Sequence, residues 1–364
     1  MLVICPFPQG VAAGQRLKYE QYFDDWRAAG YDIDVSSYMD MPMWKIVYAP
    51  GSYFGKVLGV LRGHMRRLRD LFYVAQYDVV YVFMWVTPFG TTLMERLVRR
   101  LARRLIVDVE DNVLVEQSMP ALAHPNRIVQ YLKGSGKARY LISVADHVIT
   151  SSPFLNDFCL EINTAKACIY ISSSIDTDRF VPVEKPFDHT PVVVGWTGTF
   201  SSKIYLDILK PVLQELAKRL AYRLVVIGNF EYELPGVDLK VIQWTKEREV
   251  EDLQSFDIGI YPLPIDDWVL GKSGLKAIQY MAFGLPTVAT AVGTTPMIIR
   301  DGENGFLVRE PEEWLAPLEK LIRDSALRKH LGAQARKDAL DNYSTHVIAA
   351  LYRRVLDQVW SSKP

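Results

Sequence analysis

Residues 256–293 read FDIGIYPLPIDDWVLGKSGLKAIQYMAFGLPTVATAVG. Ile258–Tyr261 is an apolar run of strand length, and a helix opens near Ser273. Gly284-Leu285-Pro286 closes that helix and turns the chain into a second buried run, Thr287–Thr290. Strand, helix, strand in that order is the repeating unit of parallel α/β sheets. The same rhythm extends outward. In the same series it predicts strands at Val192–Gly195, Arg223–Gly228, Leu239–Gln243 and Gly305–Val308. An earlier series predicts strands at Leu2–Cys5, Tyr31–Val35, Asp78–Phe83, Leu105–Val109, His147–Thr150 and Cys168–Ile171. Helices are expected between them near Gln15–Ala29, Lys56–Phe72, Leu93–Arg104 and Phe154–Ile162. In Tyr205–Leu220, the residues Leu206, Leu209, Val212, Leu213 and Leu216 recur at helical spacing, and Pro211 requires a kink or a late start.

Two such series fit a chain of 364 residues, which is too long for one core. Phe180–Thr190, FVPVEKPFDHT, with prolines and mixed charge, divides them. The expected organisation is α/β: two doubly wound, Rossmann-like domains facing each other across a cleft. They cover residues 1–182 and 191–344, with a linker at 183–190. A last helix at 345–364, with Val347, Leu351, Val355 and Val359 on one face, is expected to pack back on the first domain. An apolar fraction of 49% excludes wholesale disorder. Lys+Arg 42 against Asp+Glu 42 leaves no basic excess, which argues against a nucleic-acid partner. Cys5, Cys159 and Cys168 fit neither a disulfide scaffold nor a zinc ligand set and suit a reducing compartment. No apolar run approaches a membrane span, and MLVICPFP at the start lacks a basic leader, so a cytoplasmic protein is expected.

In doubly wound sheets ligands bind where strands end and helices begin. Pro8–Arg16, PQGVAAGQR, offers Gly10 and Gly14 for a tight turn or a close approach to a ligand, with Arg16 beyond. It lacks the spacing of a dinucleotide fingerprint. Val194–Lys203, VGWTGTFSSK, brings together Gly198, Thr199, Ser201, Ser202 and Lys203, as either a phosphate cradle or an ordinary helix cap. In Asp266–Ala289, Ser273 reads as an N-cap, so the amides of Gly274, Leu275 and Lys276 point out of a helix start with Lys272 just before it. Helix end, free amides and positive charge together suit a diphosphate. Gln279, nearly two turns in, is placed for sugar hydroxyls. Asp108–Asp111, DVED, concentrates carboxylates at a strand end. They serve there to orient or deprotonate a sugar hydroxyl, to hold a divalent cation, or to cap the next helix.

Charge is unevenly spread. From Lys56 to Arg104 ten basic residues stand against three acidic ones. Leu58, Leu61, Met65, Leu68 and Phe72 form an apolar stripe beside Arg62, Arg66 and Arg69, after the aromatics Trp44, Tyr48, Tyr53 and Phe54. Such a helix either lies on anionic lipid or turns its stripe into the core and its charges to solvent.

Several segments, in order along nearly the whole chain, resemble the family-4 retaining glycosyltransferases, which have the GT-B fold. They are PQGVAAGQRLKYEQYFDDWRAAGYDI, ADHVITSSPFLNDF with ISSSIDTDRFVP, VGWTGTFSS with IYLDIL, the stretch 256–293, and IIRDGENGFLV with EEWLAPLEKLIRD. The resemblance implies a sugar taken from a UDP- or GDP-sugar donor with its anomeric configuration kept, and neither a prosthetic group nor a bound metal. It further implies a glycan or lipid-linked acceptor in bacterial-type surface polysaccharide synthesis, at the inner face of a membrane that the basic segment 56–104 would contact. It places diphosphate contacts on Gly198, Thr199, Lys272, Ser273, Gly274 and Leu275, with Lys203 in support, and a ribose contact on Gln279. The family usually carries two glutamates eight positions apart, where this chain has Gly271 and Gln279, so Asp266 or Asp267 becomes the candidate for the donor-sugar contact. Thr199 stands where an arginine is usual. Glu110 and Asp111 occupy the strand end comparable to one where the family often has a histidine, and with Lys272 they are the catalytic candidates. Two rivals remain: a nucleotide-sugar 2-epimerase of the same fold, which needs no acceptor groove, and a non-catalytic binding subunit, which Gly271 and Thr199 allow.

Overall fold

The computed structural model describes residues 1–110, 136–186 and 188–362. The chain divides into two compact units, one formed by Met1–Ser172 with Gly271–Ser273 and Ala349–Pro364, the other by Ser173–Leu270 with Gly274–Ile348.

In the first unit β1 (Leu2–Cys5), β2 (Asp34–Ser37), β3 (Val80–Phe83), β4 (Leu105–Val109), β5 (His147–Thr150) and β6 (Cys168–Tyr170) pair in the order β2-β1-β3-β4-β5-β6, all parallel. In the second, β7 (Val192–Thr197), β8 (Tyr222–Gly228), β9 (Asp238–Gln243), β10 (Ile258–Tyr261), β11 (Thr287–Thr290) and β12 (Gly305–Val308) pair in the order β12-β11-β10-β7-β8-β9, again parallel. Every one of these strands overlaps an expected run, half of them with the expected limits, while β2 is displaced from Tyr31–Val35 to Asp34–Ser37. Parallel neighbours need a crossover, and helices on both faces bury β1, β3, β4, β10 and β11 along their whole length. In the second unit Leu206, Leu209, Leu213 and Leu216 pack on Val192, Val194 and Trp196 in one apolar cluster.

The strand order reverses between β1 and β3 in the first sheet and between β7 and β10 in the second. Just beyond the carboxyl ends of those strand pairs the connecting loops diverge to opposite faces and leave room for a ligand. These two points position the candidate sites.

The helices depart further from expectation. Gln15–Ala29 is not one helix but Ala13–Arg16, a 3-10 turn at Glu20–Tyr22, and Phe23–Ala28. Its polar side chains bond elsewhere: Gln15 Nε2 donates to Phe7 O and Glu20 Oε1 at 3.0 and 2.6 Å, and Gly10 N donates to Glu20 Oε2 at 2.8 Å. Those bonds hold the loop after β1 at the expense of a continuous helix. Tyr205–Leu220 likewise splits into Lys203–Asp207 and Lys210–Arg219, with Pro211 in the first turn of the second piece, where its missing N–H costs nothing. The last helix, Thr345–Ser361, buries Ile348, Tyr352, Val355, Leu356 and Val359, whereas Val347 is exposed, so its buried face is rotated from the expected stripe. Within the first unit Tyr352 packs against Tyr22 and Trp26, ring centroids 4.9 and 5.9 Å away. Residues 183–190 belong to the second unit, where Lys185 Nζ and His189 Nε2 reach the buried carboxylate of Asp257 at 2.7 and 2.9 Å. Among the described residues no helix is long and apolar enough to cross a membrane.

Candidate functional site

At the switch point of the second sheet β7 runs into Gly198–Lys203 and β10 into Pro262–Gly274. The helix Leu275–Ala282 follows, and Thr197 N donates to Tyr280 Oη at 3.0 Å, tying the end of β7 to that helix. The N-cap is Gly274, not Ser273 as expected: Gly274 has φ +73°, and Ser273, one residue earlier, is buried. A Cβ at Gly274 would stand 2.2 Å from Ile298 Cδ1 and 3.0 Å from Thr294 Oγ1, so both the backbone angle and the packing demand glycine. A glycine cap has no side chain to occupy the first-turn N–H groups of the helix. Gly274→Ala is therefore expected to cost ~2 kcal/mol by chemical denaturation.

The first turn carries the positive charge. Lys276 Nζ lies 4.7 Å from the ring centre of Trp196 in β7 and 5.9 Å from that of Tyr261 in β10, so the ammonium sits over both switch strands. It also donates to Ser202 Oγ at 3.4 Å. Lys272 is half-buried and lies two residues before the cap. Gln279 is buried within the helix.

The loop after β7 holds its shape with its own donors. Gly198 N donates to Ile227 O at 3.0 Å, Thr199 N to Ser202 Oγ at 3.0 Å, and Phe200 N to Asn229 Oδ1 at 3.0 Å. Thr199 and Ser202 form a reciprocal capping box, and Thr199 Oγ1 meets Ser201 Oγ at 2.8 Å. Of the two readings left open for this loop, its hydrogen bonds form the helix cap, and Lys276 reaches the Ser202 hydroxyl of that cap. Lys203 turns toward the loop after β8, donating to Glu231 O at 3.3 Å and lying over the rings of Phe230 and Tyr232 at 5.7 and 5.5 Å. Asp266 Oδ1 accepts from Val269 N at 3.1 Å and so shapes the turn before Lys272, while Asp267 is exposed. The structure therefore brings Lys276, Ser202 and the end of β7 together, and does not place Lys203 with them.

In the first unit the loop after β1 meets the end of β4. A Cβ at Gly14 would stand 2.8 Å from Glu110 Oε2, so the glycine makes room for that half-buried carboxylate. Gly10 has φ +79°, and Arg16 is buried. Asp108 differs from its neighbour. It is wholly buried, paired with Lys18 Nζ at 2.5 Å, and accepts a short hydrogen bond from Tyr81 Oη. Burial pushes its carboxyl up, and the Lys18 charge pulls it back. Lys18 Nζ also donates to Val109 O at 3.2 Å. This clamp fixes segment 13–18 against β4 and so sets Gly14 beside Glu110. Of the DVED carboxylates, Asp108 is structural, Glu110 lies half-buried beside Gly14, and Asp111 lies outside the described residues. Among the described residues no three His, Cys, Asp or Glu side chains converge as a metal-ligand set. Burial pushes the thiols of Cys5 and Cys159 up to about 12 and that of Cys168 up to about 11, which leaves none as a thiolate near neutral pH.

Sequence reasoning allowed Lys276 to add charge at the helix start beside Lys272 but left its side chain out of the diphosphate contacts. The usable signal was its position one turn after Lys272 at a helix start. It also left open which way the Lys56–Phe72 stripe faces. Gly55, Gly59 and Gly63 at four-residue spacing were the overlooked signal, because small residues mark the face that docks.

Residues 191–324 match the sequence model of the family described as Glycosyl transferases group 1. The D-inositol 3-phosphate glycosyltransferase of Corynebacterium aurimucosum is 39% identical over 200 residues, 46% of this chain and 46% of that protein. That of Streptomyces bingchenggensis is 29% identical over 151 residues, 41% of this chain and 28% of that protein. The match thus spans less than half the length of these relatives. Sucrose-phosphate synthase from Thermosynechococcus elongatus superposes over 100% of both chains with a TM-score of 0.73 at 15% identity. Anabaena Alr3699/HepE in complex with UDP and glucose superposes over 98% of this chain and 91% of its own with a TM-score of 0.63 at 16% identity. At these identities the structural likeness is one of fold. Residues 191–324 thus match a group 1 glycosyl transferase domain, and the chain as a whole has the GT-B fold.

Proposed function

We propose that the chain is a glycosyltransferase that moves a sugar from a UDP- or GDP-sugar to a glycan or lipid-linked acceptor in surface polysaccharide synthesis, with the anomeric configuration retained. The observation that carries this reading is the glycine-capped helix start at the second switch point, with Lys276 over Trp196 and Tyr261. The group 1 match covers the same unit. In this scheme the bond between the anomeric carbon and the diphosphate oxygen breaks, and its electron pair stays on the diphosphate. The acceptor oxygen bonds to the anomeric carbon from the same face, and its proton passes to the departing phosphate. Lys272, Lys276 and the first-turn amides of Gly274 and Leu275 meet the growing negative charge without reorganising. The hydroxyls of Thr199, Ser201, Ser202 and Ser273 complete the phosphate side, and Gln279, Asp266 or Asp267 holds ribose or donor sugar. On the first unit Glu110 and Asp111 are the acceptor-side carboxylates, with Gly14 beside Glu110 and Gly10 and Arg16 in the same loop as Gly14. The donor is the only small molecule the scheme requires. The acceptor class favours work at the inner face of a membrane.

A thermal-shift screen across nucleotide sugars tests the reading. One UDP- or GDP-sugar is expected to raise the melting midpoint by several degrees at saturating concentration, and to lose its sugar to an added glycan acceptor. No shift with any nucleotide sugar would remove the proposal. An epimeric sugar appearing from donor incubated alone would favour the epimerase instead.

A further inference from the structure

The helix Tyr53–Leu71 is turned inside out. Its buried residues are Gly59, Gly63, Arg67 and Asp70. A Cβ on Gly59 would stand 2.7 Å from Met43 Sδ, and one on Gly63 would stand 2.6 Å from the Tyr38 ring, so the glycine row is the docked face. Arg67 continues that row and is spent inside the unit, donating to Cys5 O, Val86 O and Asp70 Oδ2 at 2.9, 2.8 and 3.0 Å. The bulky apolar side chains therefore point the other way. Phe54 is 83% exposed, Leu61 57%, Met65 66% and Phe72 80%, and Val57, Leu58 and Leu68 are exposed beside them. At three- and four-residue steps these side chains form one continuous stripe ~28 Å long. Surfaces seldom carry such a stripe without a partner.

Charge and ring chemistry select the occupant. Asp70 is the helix's single acid, and it is buried and shared by Arg67 and Arg69. Arg62 and Arg66 in turn share Asp40. Positive charge therefore exceeds negative along the flank of the stripe. Tyr48, Tyr53 and Phe54 are exposed near one end, Phe72 and Tyr73 at the other. A second copy docked here about a two-fold axis would set one arginine-bearing flank against another with no exposed acid of the helix to meet it. An anionic bilayer accepts all three features: the stripe enters the acyl boundary, the arginines meet headgroup phosphates, and the rings lie at headgroup level. We infer that Tyr53–Leu71 is an in-plane anchor that docks the protein on anionic lipid bilayers. The inference deepens the membrane part of the reading above and narrows the surface from the whole segment 56–104 to this helix. Arg99 and Arg103 are paired with Asp146 and Asp78, and Arg104 donates to Ser362 O.

Flotation of the full chain with phosphatidylcholine vesicles, with and without phosphatidylglycerol, tests the anchor. The chain is expected to float with the phosphatidylglycerol vesicles. Leu61→Glu combined with Met65→Glu should lower that partition at least about tenfold without moving the melting midpoint, because both side chains already face outward. Arg62→Glu with Arg69→Glu should abolish the preference for anionic over neutral vesicles. Failure of the wild-type chain to float, unchanged flotation of the Leu61/Met65 variant, or a soluble dimer that this variant dissociates would overturn the inference. Absence of nucleotide-sugar binding in the wild-type chain would count against the transferase reading, and absence of flotation against the anchor.

Discussion

Lys272→Ala is expected to lower kcat/KM for sugar transfer about 100- to 1,000-fold while melting like the parent chain. The developing charge on a departing diphosphate has to be met by donors already in place. Lys272 and the first-turn amides after Gly274 are the groups the chain offers at the start of the helix. Lys276 packs over Trp196 and Tyr261, so replacing it disturbs aromatic packing as well as charge. Lys272, half-buried in the loop before the cap, is the cleaner probe. Steady-state kinetics with the donor found by thermal shift would measure the effect. A variant that transfers at the parental rate would remove Lys272 from the reaction.

The second large effect concerns stability. Lys18→Met is expected to destabilise the chain by ~3–5 kcal/mol, because it strands the carboxylate of Asp108 in a wholly buried position. Adding Asp108→Asn should recover part of that loss, since the neutral amide still accepts from Tyr81 Oη. The sign of the pH dependence follows from burial, which already pushes the Asp108 carboxyl up. Without Lys18 the folded-state pKa rises further above the unfolded value. The penalty is then smallest at low pH, where Asp108 is protonated in both states, and grows as pH rises through the carboxylate range. Urea denaturation of the Lys18→Met chain at pH 4.5 and pH 7 would show it, against a double variant with little pH response. Because the Lys18–Asp108 pair holds segment 13–18 on β4, the same variant should also disturb the contact of Gly14 with Glu110.

The strands were legible because parallel strands covered on both faces read as unbroken apolar runs, and Gly284-Leu285-Pro286 punctuates one of them plainly. The helix expected at Gln15–Ala29 was not, because the groups that break it lie elsewhere in the chain: Phe7 and Gly10 for Gln15 and Glu20, and Asp108 for Lys18. Ser273 and Gly274 are both good caps by composition, and tertiary packing of Gly274 against Ile298 and Thr294 chose between them. Whether Val194–Lys203 is a phosphate cradle or a cap stayed open because the acceptors of Gly198, Thr199 and Phe200, namely Ile227, Ser202 and Asn229, were invisible without the fold. The stripe on Tyr53–Leu71 was visible, and only the packing of Gly59 and Gly63 shows that it faces outward.

The most direct measurement is a crystal structure of the chain soaked with the nucleotide sugar that stabilises it. The account predicts the two phosphates within hydrogen-bond distance of the first-turn amides after Gly274 and of the Lys272 and Lys276 ammonium groups. A pyrophosphate bound at any other strand end, with both lysines turned to solvent, would contradict it.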